Sequence, residues 1–444
     1  MLSAVRGQVL SKVLGSGSKG SLPDRAPSES DGAAADDFAD ATEAQLHPDA
    51  HEEGGLACTN KELMEAQRRA IVDVIKGLGK NLLAGNLDLL KVSLPVALFE
   101  PRSYLQKLAD PWVYPRFLRL AAEATDPVER LQWVVTYFIA GFHRAFERWA
   151  KPFNPILGET WQASLPDGSR ISLEQISHHP PISAFQMQGP HGLYTFTGMS
   201  QPSVSYKTNA VKTTARGYRV LDFKDGGRVE VHFPAYHLRG LLYTSAPRGE
   251  LGGTAEFVDA QHGLSAEVRF GRLEGAGSGV LARSDAFSGT LWRAAPPADG
   301  LDRADSSASA GGWQAPALIE RSKRSSGGLA SGFSMSSIVR SGLGGLGLRS
   351  KSSPAIPEAE PLREVLARCT GNWLSHLDWG EDRWWTLAEE ARQEWEPEAH
   401  PLPSDCRYRE DLALLAAGDA KGSQVAKEAL EQRQRAEAKL RGIN

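Results

Sequence analysis

Short runs of alternating apolar and polar residues dominate the chain from residue 172 to about residue 293. They constrain its fold more than any other feature. The runs include RVEVHF, TAEFVD, LSAEVRF and FSGTLWR, and turn-forming residues such as Asp225-Gly226-Gly227 separate them. A period of two is typical of strands with one buried face, and strands joined in series by tight turns pair antiparallel. We therefore predict a mainly β fold in which a long meander closes into a barrel, which at this size can hold a ligand.

Helical periodicity precedes the strands. The pattern predicts a helix from Asn60, a residue suited to an N-cap, to about Leu83, and glycines near its end weaken it so that it can move or fray. A second, fully packed helix is predicted from Asp126, with Pro127 in its first turn and Glu129 completing a capping box. The chain is thus expected to combine a β-barrel with flanking helices.

Two segments lack the periodicity of a folded core. Residues 1–58 are polar and are predicted to be disordered, and residues 294–360 are rich in Ser, Gly, Ala and Pro, which predicts a linker-like insertion. A GxGxxG match near the start has neither the strand nor the helix of a dinucleotide site, so it indicates a flexible segment. The folded domain is predicted at residues 59–444, ending in a polar, mostly exposed helix from Lys421 onward.

Composition excludes several classes of protein. The 444 residues carry a net charge of -4, which gives no global basic field for nucleic acid. Three widely spaced cysteines without a CxxC pair argue against a disulfide framework and a zinc site, and fit a reducing cytosol. No apolar run approaches the roughly 18 to 20 residues of a membrane span. We expect a cytosolic protein that contacts membranes only at their surface. The N-terminal segment is basic and has no acidic residue before Asp24, so it is also compatible with a targeting peptide.

Three distant stretches carry candidate chemistry: KPFNPILGETW at 151–161, EQISHHPP at 174–181 and KEALEQRQR at 427–435. Each also has a purely structural explanation. Prolines turn the chain in the first stretch and end a strand in the second. In the third, Lys427, Glu431 and Arg435 have the i, i+4, i+8 spacing of ion pairs on a helix surface.

The adjacent histidines, His178 and His179, are open to several interpretations. A zinc site needs further ligands, and neighbouring residues of a strand normally point to opposite faces. Acid-base or nucleophilic catalysis needs a partner, and only Ser177 and Glu174 are near in sequence. The third interpretation is a site for an anion.

An anion site uses all three stretches. Lys151, Lys427 and Arg435 supply positive charge, Asn154 supplies an amide donor, and both histidines can donate from their rings. Glu431, between Lys427 and Arg435 on the helix, would hold the two cations in place rather than contact the ligand. A phosphate enclosed by such donors would be bound by short, charge-assisted hydrogen bonds.

These stretches resemble the fingerprints of the oxysterol-binding protein family. EQISHHPP differs from the family's Glu-Gln-Val-Ser-His-His-Pro-Pro only at Ile176, and KPFNPILGE is similar to its Lys-Pro-x-Asn-Pro-x-x-Gly-Glu element. KEALEQRQR looks like the terminal Lys-x-x-x-Glu-x-x-x-Arg helix, and LPSDCRYREDL at 402–412 resembles the segment before it. The resemblance covers the chain from about Val92 to its end.

The resemblance implies a large incomplete antiparallel β-barrel around a lipid tunnel, with an N-terminal helical lid formed by the helix from Asn60. Such domains bind one lipid at a time, need no cofactor and are not enzymes. The implied ligand is phosphatidylinositol 4-phosphate, with its acyl chains in the tunnel and a sterol or phosphatidylserine as the alternative guest. The implied head-group residues are Lys151, Asn154, His178, His179, Lys427, Glu431 and Arg435.

Two functions follow from this resemblance. The first is lipid transfer, in which the phosphoinositide is exchanged for a sterol or phosphatidylserine between membranes. The alternative is a phosphoinositide-sensing scaffold at membrane contact sites that moves no lipid. Both place the protein in the cytosol, peripherally associated with the endoplasmic reticulum and other membranes.

The sequence DFADATE at 37–43 resembles the FFAT motif that docks on VAP receptors of the endoplasmic reticulum. Phe38, Asp40, Ala41 and Glu43 match the motif, whereas Ala39 stands where a second phenylalanine is usual, which should weaken binding. An acidic approach segment would steer the motif to a basic surface, and Phe38 would fill an apolar pocket.

Overall fold

The computed structural model describes residues 44–78, 93–207, 209–242, 247–273, 282–294 and 363–442. The FFAT-like motif, the insertion and the end of the helix predicted to reach Leu83 lie outside these ranges. Among the helices within them, none combines the length and the hydrophobicity that crossing a bilayer requires.

Helices lie at both ends of the described chain and beside its first strands. Their bounds are α1 Lys61–Leu78, α2 Tyr104–Ala109, α3 Pro115–Glu123, α4 Pro127–Gly141, α5 Glu410–Ala416 and α6 Ala420–Leu440.

Strands make up most of the rest. Their bounds are β1 Leu56–Ala57, β2 Phe99–Ser103, β3 Lys151–Phe153, β4 Thr160–Ser164, β5 Arg170–His178, β6 Pro181–Gln188, β7 Tyr194–Lys207, β8 Ala210–Arg216, β9 Arg219–Phe223, β10 Arg228–His232, β11 Ala235–Arg239, β12 Arg248–Asp259, β13 Leu264–Phe270, β14 Ala286–Ala294, β15 Arg363–Asn372, β16 His376–Trp379, β17 Asp382–Thr386 and β18 Glu396–Pro397.

One antiparallel sheet of 16 strands holds the described chain together, and its main path runs from β17 through β14, β12, β9 and β7 to β4 and β18. The strands β1, β8 and β11 pair off this path, and β2 and β3 form a separate parallel pair. Because β17 and β18 are the two ends of the path, the barrel is incomplete. The predicted mainly β fold with flanking helices is confirmed.

Helix α4 contributes many of its side chains to the hydrophobic core. The Asp126 side chain caps it by accepting from the backbone N–H of Val128, as predicted. Glu129 does not complete the predicted capping box, because its carboxylate instead accepts from the Trp133 indole at 3.2 Å. Phe138 packs against Phe196 of β7 with ring centroids 5.3 Å apart. Burying a side chain of this size stabilises the fold by roughly 1.5 to 3 kcal/mol.

Residues 44–58 are ordered, which corrects the predicted disorder up to residue 58. They lie against the sheet through backbone hydrogen bonds, including one from the N–H of His47 to the carbonyl of Leu374 at 2.8 Å. The N–H of Gly55 donates to the buried carboxylate of Asp285 at 3.0 Å. Such contacts leave no apolar periodicity in the sequence, so the pattern could not predict them.

The strands that flank the predicted insertion are neighbours. β14 pairs directly with β15, from Ala286 opposite Asn372 to Ala294 opposite Arg363. The strands after it are rich in tryptophan, and Trp373 and Trp385 are buried as the sequence suggested. The sheet is therefore continuous from one side of the insertion to the other.

The inner face of the sheet is less closely covered at β8 and β11. Tyr236 and Leu238 of β11 lie opposite Thr213 and Val211 of β8, and all four side chains are only partly buried. Tyr236 nevertheless packs against the core ring of Phe142, with centroids 6.4 Å apart. These strands are therefore less completely buried than the core strands β9, β10 and β13.

Candidate functional site

The first stretch of the predicted site is a connector between α4 and the sheet. β3 pairs in parallel with β2, with Lys151 opposite Phe99. The Lys151 ammonium donates to the Asn154 side-chain oxygen at 2.7 Å and to the Pro152 carbonyl at 3.0 Å. The prolines hold this backbone extended, which directs Lys151 and Asn154 toward each other.

The third stretch lies on α6. Lys427 is only 5% exposed, and its ammonium donates to Glu431 at 2.6 Å. The guanidinium of Arg435 donates to the other oxygen of the same carboxylate at 3.3 Å and is largely exposed. Glu431 therefore holds both cations, as the spacing predicted.

Two residues that the sequence reasoning did not single out join these stretches. The Ser93 hydroxyl accepts from Lys427 at 3.0 Å and donates to Glu431 at 2.9 Å. The ring of Phe99 lies 4.5 Å from the ammonium of Lys151 and 5.6 Å from that of Lys427, measured to the ring centroid. Cation–π attraction to one ring thus brings the connector and α6 together. Both lie near the start of the region of family resemblance, which begins at about Val92, but the sequence assigned neither of them a role.

The second stretch ends β5. His178 is the last residue of the strand and His179 lies in the following turn. Their rings lie edge to face with centroids 4.5 Å apart, instead of on opposite faces as in a regular strand. The β5–β6 ladder is irregular between Gln175 and Ser177, which disrupts the alternation.

Burial lowers the pKa of His178, and His179 lowers it further, whereas Glu431 and a hydrogen bond to the Pro155 backbone raise it. His178 therefore lies close enough to the carboxylate on α6 to be influenced by its charge. We use the term polar cluster for the seven predicted residues: Lys151, Asn154, His178, His179, Lys427, Glu431 and Arg435. His179 and Arg435 lie at its edges, touching it through His178 and Glu431 respectively.

The polar cluster is short of negative charge. Burial, together with the neighbouring ammonium of Lys427, lowers the pKa of Lys151 to about 7 against the opposing effect of Glu431. Lys151, Lys427 and Arg435 share the single carboxylate of Glu431 within the cluster. An anion placed between them would restore the charge balance and favour the protonated form of Lys151.

A buried network of ion pairs holds the connector that contains Lys151 and Asn154. Arg409 donates to the backbone carbonyl of Asn154 and to the carboxylate of Glu159, each at 2.8 Å, and to Asp411 at 2.7 Å. Glu159 also contacts the hydroxyl of Ser103. Arg409 lies in the 402–412 segment, so this stretch positions the cluster without belonging to it.

Replacing Arg409 with Met should destabilise the protein by about 3 to 5 kcal/mol, because it leaves two buried carboxylates without their counter-ion. Glu159 and Asp411 are 1% and 0% exposed. Urea unfolding followed by tryptophan fluorescence measures the change. The matched control is Arg433→Met, which removes an exposed pair with Glu437 and should change stability by less than about 1 kcal/mol. Equal midpoints for both variants would contradict the structural role of Arg409.

A different set of side chains has ligand spacing for a metal. A ring nitrogen of His47, a ring nitrogen of His143 and a carboxylate oxygen of Glu147 lie within 4.8 Å of one another. Glu147, however, already pairs with Arg144 and Arg392, and Nδ1 of His47 accepts from the backbone N–H of Asp49. Two guanidinium groups beside the carboxylate disfavour a metal cation at this position.

Two surface cavities lie away from the polar cluster. One of about 500 Å³ is bordered by Asn60 and Leu63 at the start of α1 and by Trp149. The other, of about 390 Å³, is bordered by Tyr114 and Gln393. Neither of these two cavities is lined by a member of the cluster.

Comparison with known proteins identifies the architecture. Residues 81–293 match the family model described as oxysterol-binding protein. Just under half of the chain thus matches the oxysterol-binding protein family. Its relatives include oxysterol-binding protein 9 of Dictyostelium discoideum, 34% identical over 221 residues, which are 50% of this chain and 51% of the relative. The human oxysterol-binding protein-related protein 8 is 32% identical over 225 residues, covering 48% of this chain and 25% of the relative. The match thus spans about half of the first relative and a quarter of the second.

Solved structures of the family share this fold. The Osh3 ORD in complex with PI(4)P, from Saccharomyces cerevisiae, superposes with a TM-score of 0.55 at 19% identity, covering 83% of this chain and 85% of that one. The Osh1 ORD domain in complex with ergosterol gives 0.53 at 19% identity, covering 81% and 78%. The family-model match ends at residue 293, whereas these superpositions cover most of the chain.

Proposed function

We propose that this protein is a lipid transfer protein that binds one lipid at a time, with a phosphoinositide head group held by the polar cluster. The observation that carries the proposal is that Lys151 and Lys427 face the same ring of Phe99, while Lys427 and Arg435 share one carboxylate. Such a cluster takes a compact anion, because each ammonium can donate to a different phosphate oxygen.

Phosphatidylinositol 4-phosphate is the head group that we propose. The Osh3 ORD of the same fold was solved in complex with PI(4)P, which supports this choice of ligand. A phosphomonoester carries close to two negative charges at neutral pH, enough to balance the excess positive charge of the cluster. His178 and His179 would donate to the phosphate oxygens, and Glu431 would keep Lys427 and Arg435 in place.

The acyl chains require an apolar enclosure. A lipid that leaves a bilayer exposes its tails at a free-energy cost of about 0.8 kcal/mol per CH₂, so a carrier must cover them. The partly covered inner face of β8 and β11 supports an internal cavity for this purpose. A sterol or phosphatidylserine would compete for the same space, and the Osh1 ORD was solved in complex with ergosterol.

Helix α1 is the proposed lid. Asn60 caps it by accepting from the N–H of Leu63 at 2.9 Å. Arg68 donates to the carbonyl of Leu241 at 3.1 Å, and Gln67 to that of Trp149 at 3.3 Å. Ala70 and Ile71 of α1 also pack against the hydrophobic core. Opening at a membrane would therefore break both polar and apolar contacts of α1, which the membrane surface would have to replace.

The test is transfer of fluorescent phosphatidylinositol 4-phosphate between two liposome populations, together with mass spectrometry of lipids that co-purify with the protein. We expect catalytic acceleration of transfer and a co-purified sterol or phospholipid. A phosphoinositide-sensing scaffold would bind liposomes without moving lipid between them, and an enzyme would change the mass of the lipid. Either result would overturn the proposed function.

We propose that the N-terminal motif recruits a VAP receptor and so places transfer at the endoplasmic reticulum. Phe38→Ala should abolish pull-down of the receptor by the full chain, because it removes the side chain that fills the apolar pocket. Ala39→Phe should strengthen pull-down, because it restores the second phenylalanine that such motifs usually carry. Unchanged recovery of the receptor with both variants would refute the docking role.

A further inference from the structure

Arg219 is the first residue of β9 and faces the interior of the barrel. It lies opposite Gly198 of β7, in the same inward row as the core residues Leu221 and Phe223. Only 2% of the residue is exposed. A guanidinium thus lies among aromatic core side chains, with its plane over Phe233 at 4.6 Å from the ring centroid.

The charge of Arg219 has no carboxylate partner among the described residues. Its terminal nitrogens donate to the backbone carbonyls of Gly217 and Ala215 at 3.5 and 3.2 Å, and Nε has no hydrogen-bond partner. The other buried arginines of the described chain differ: Arg130 pairs with Asp225, Arg144 with Glu147 and Arg409 with Glu159. A buried cation without a counter-ion is destabilising, so its position requires an explanation.

Two tyrosine hydroxyls lie near this cation, and a serine hydroxyl is bonded to one of them. The hydroxyls of Tyr104 and Ser200 form a hydrogen bond of 3.0 Å. Burial raises the pKa of both Tyr104 and Tyr236, and the positive charge of Arg219 opposes the rise in each, so the guanidinium lies near both phenols. The two tyrosines are only partly buried, and Tyr236 lies on the incompletely covered face of β11. These partly accessible tyrosines are the residues through which the space proposed for lipid tails would reach the cation.

We propose that Arg219, with the hydroxyls of Tyr104, Ser200 and Tyr236, forms an internal subsite for the carboxylate of a long-chain fatty acid. This inference rests on the proposed function, because it requires that the barrel encloses a lipid. One unpaired guanidinium balances one negative charge, and its planar donors match a carboxylate. The apolar walls would enclose the hydrocarbon chain. The subsite is distinct from the polar cluster, which is built from other strands and α6.

The test compares oleate with oleyl alcohol, which has the same chain without the charge, as competitors for a fluorescent fatty acid bound to the full-length protein. Wild-type protein should bind oleate at least about tenfold more tightly than the alcohol, since a charge-assisted bond in a buried site is worth this much or more. Arg219→Met should remove the preference, and Arg219→Lys should retain part of it. The control Arg216→Met, on the exposed end of β8, should leave the preference unchanged.

The outcomes separate the subsite from the general function. Equal binding of oleate and oleyl alcohol by the wild type would overturn the carboxylate subsite and leave lipid binding intact. Absence of binding for both amphiphiles, together with no phosphoinositide transfer, would overturn both proposals. The wild-type comparison needs no variant, so it decides the question even if Arg219→Met does not fold.

Discussion

Replacing His178 and His179 together with Ala should reduce the affinity for phosphatidylinositol 4-phosphate about 100-fold or more, and its transfer should fall to the uncatalysed rate. Each histidine is proposed to give one charge-assisted hydrogen bond to the phosphate, worth roughly 1.5 to 3 kcal/mol. Their ring proximity of 4.5 Å lets both reach one phosphate. Binding to liposomes of graded phosphoinositide content and transfer between liposome populations measure the two effects.

The matched control is the double variant His232→Ala, His400→Ala, because both of these histidines are exposed and lie outside the polar cluster. It should behave as wild type in both assays. Transfer of a sterol or phosphatidylserine by the His178→Ala, His179→Ala variant should persist, which would locate the defect in the head-group site. Wild-type rates of phosphoinositide exchange in that variant would refute the assignment of the histidines.

Phosphoinositide binding should weaken as the pH rises above 7, by up to about tenfold per pH unit, because the ligand-free protein then holds Lys151 as a neutral amine. Burial and the neighbouring charge of Lys427 lower the pKa of Lys151 to about 7. Above this pH the neutral amine of Lys151 must take up a proton from solvent when the phosphate binds. The free-energy cost of this proton uptake reduces the affinity. Below this pH the ammonium is already present, so the affinity should level off.

The decisive comparison is Lys151→Arg, because a guanidinium stays protonated throughout this range. Titration of a short-chain, water-soluble phosphatidylinositol 4-phosphate between pH 6.5 and 9 should give a steep profile for the wild type and a flatter one for the variant. The second ionisation of the phosphate, near pH 6, is about three-quarters complete at the start of this range, and it affects both proteins equally. Parallel profiles would exclude Lys151 as the titrating group.

Much of the fold was predictable, because its signals are local. The alternating runs became strands β10, β12, β13 and β14, and the Asp225 turn joins β9 to β10 with Gly226 at φ 95°. The caps of Asn60 and Asp126 start α1 and α4. The exposed terminal helix was also correct, since α6 buries only Ser423 and Lys427. Each of these depends on neighbours within a few residues.

What the sequence did not predict depends on contacts across the chain. Phe99 approaches Lys427 only because β2 pairs with β3 and α6 packs beside them. The ion network of Arg409 and the unpaired guanidinium of Arg219 likewise could not be predicted. Both depend on residues that are far apart in the chain, for which sequence spacing gives no rule. The site residues themselves were found through family resemblance, because i, i+4 spacing on a polar helix is equally typical of surface ion pairs. Their assignment to a head group stays a prediction.

The polar cluster combines residues 151–179 with residues of α6. The ribosome adds α6 more than 200 residues after the first group. A chain emerging from the ribosome exposes the Lys151 connector and the paired histidines while the residues of α6 have still to be added. Recognition of the phosphate as proposed here is therefore a property that a growing chain acquires only once α6 has been made, after the strands of the barrel are already available to fold.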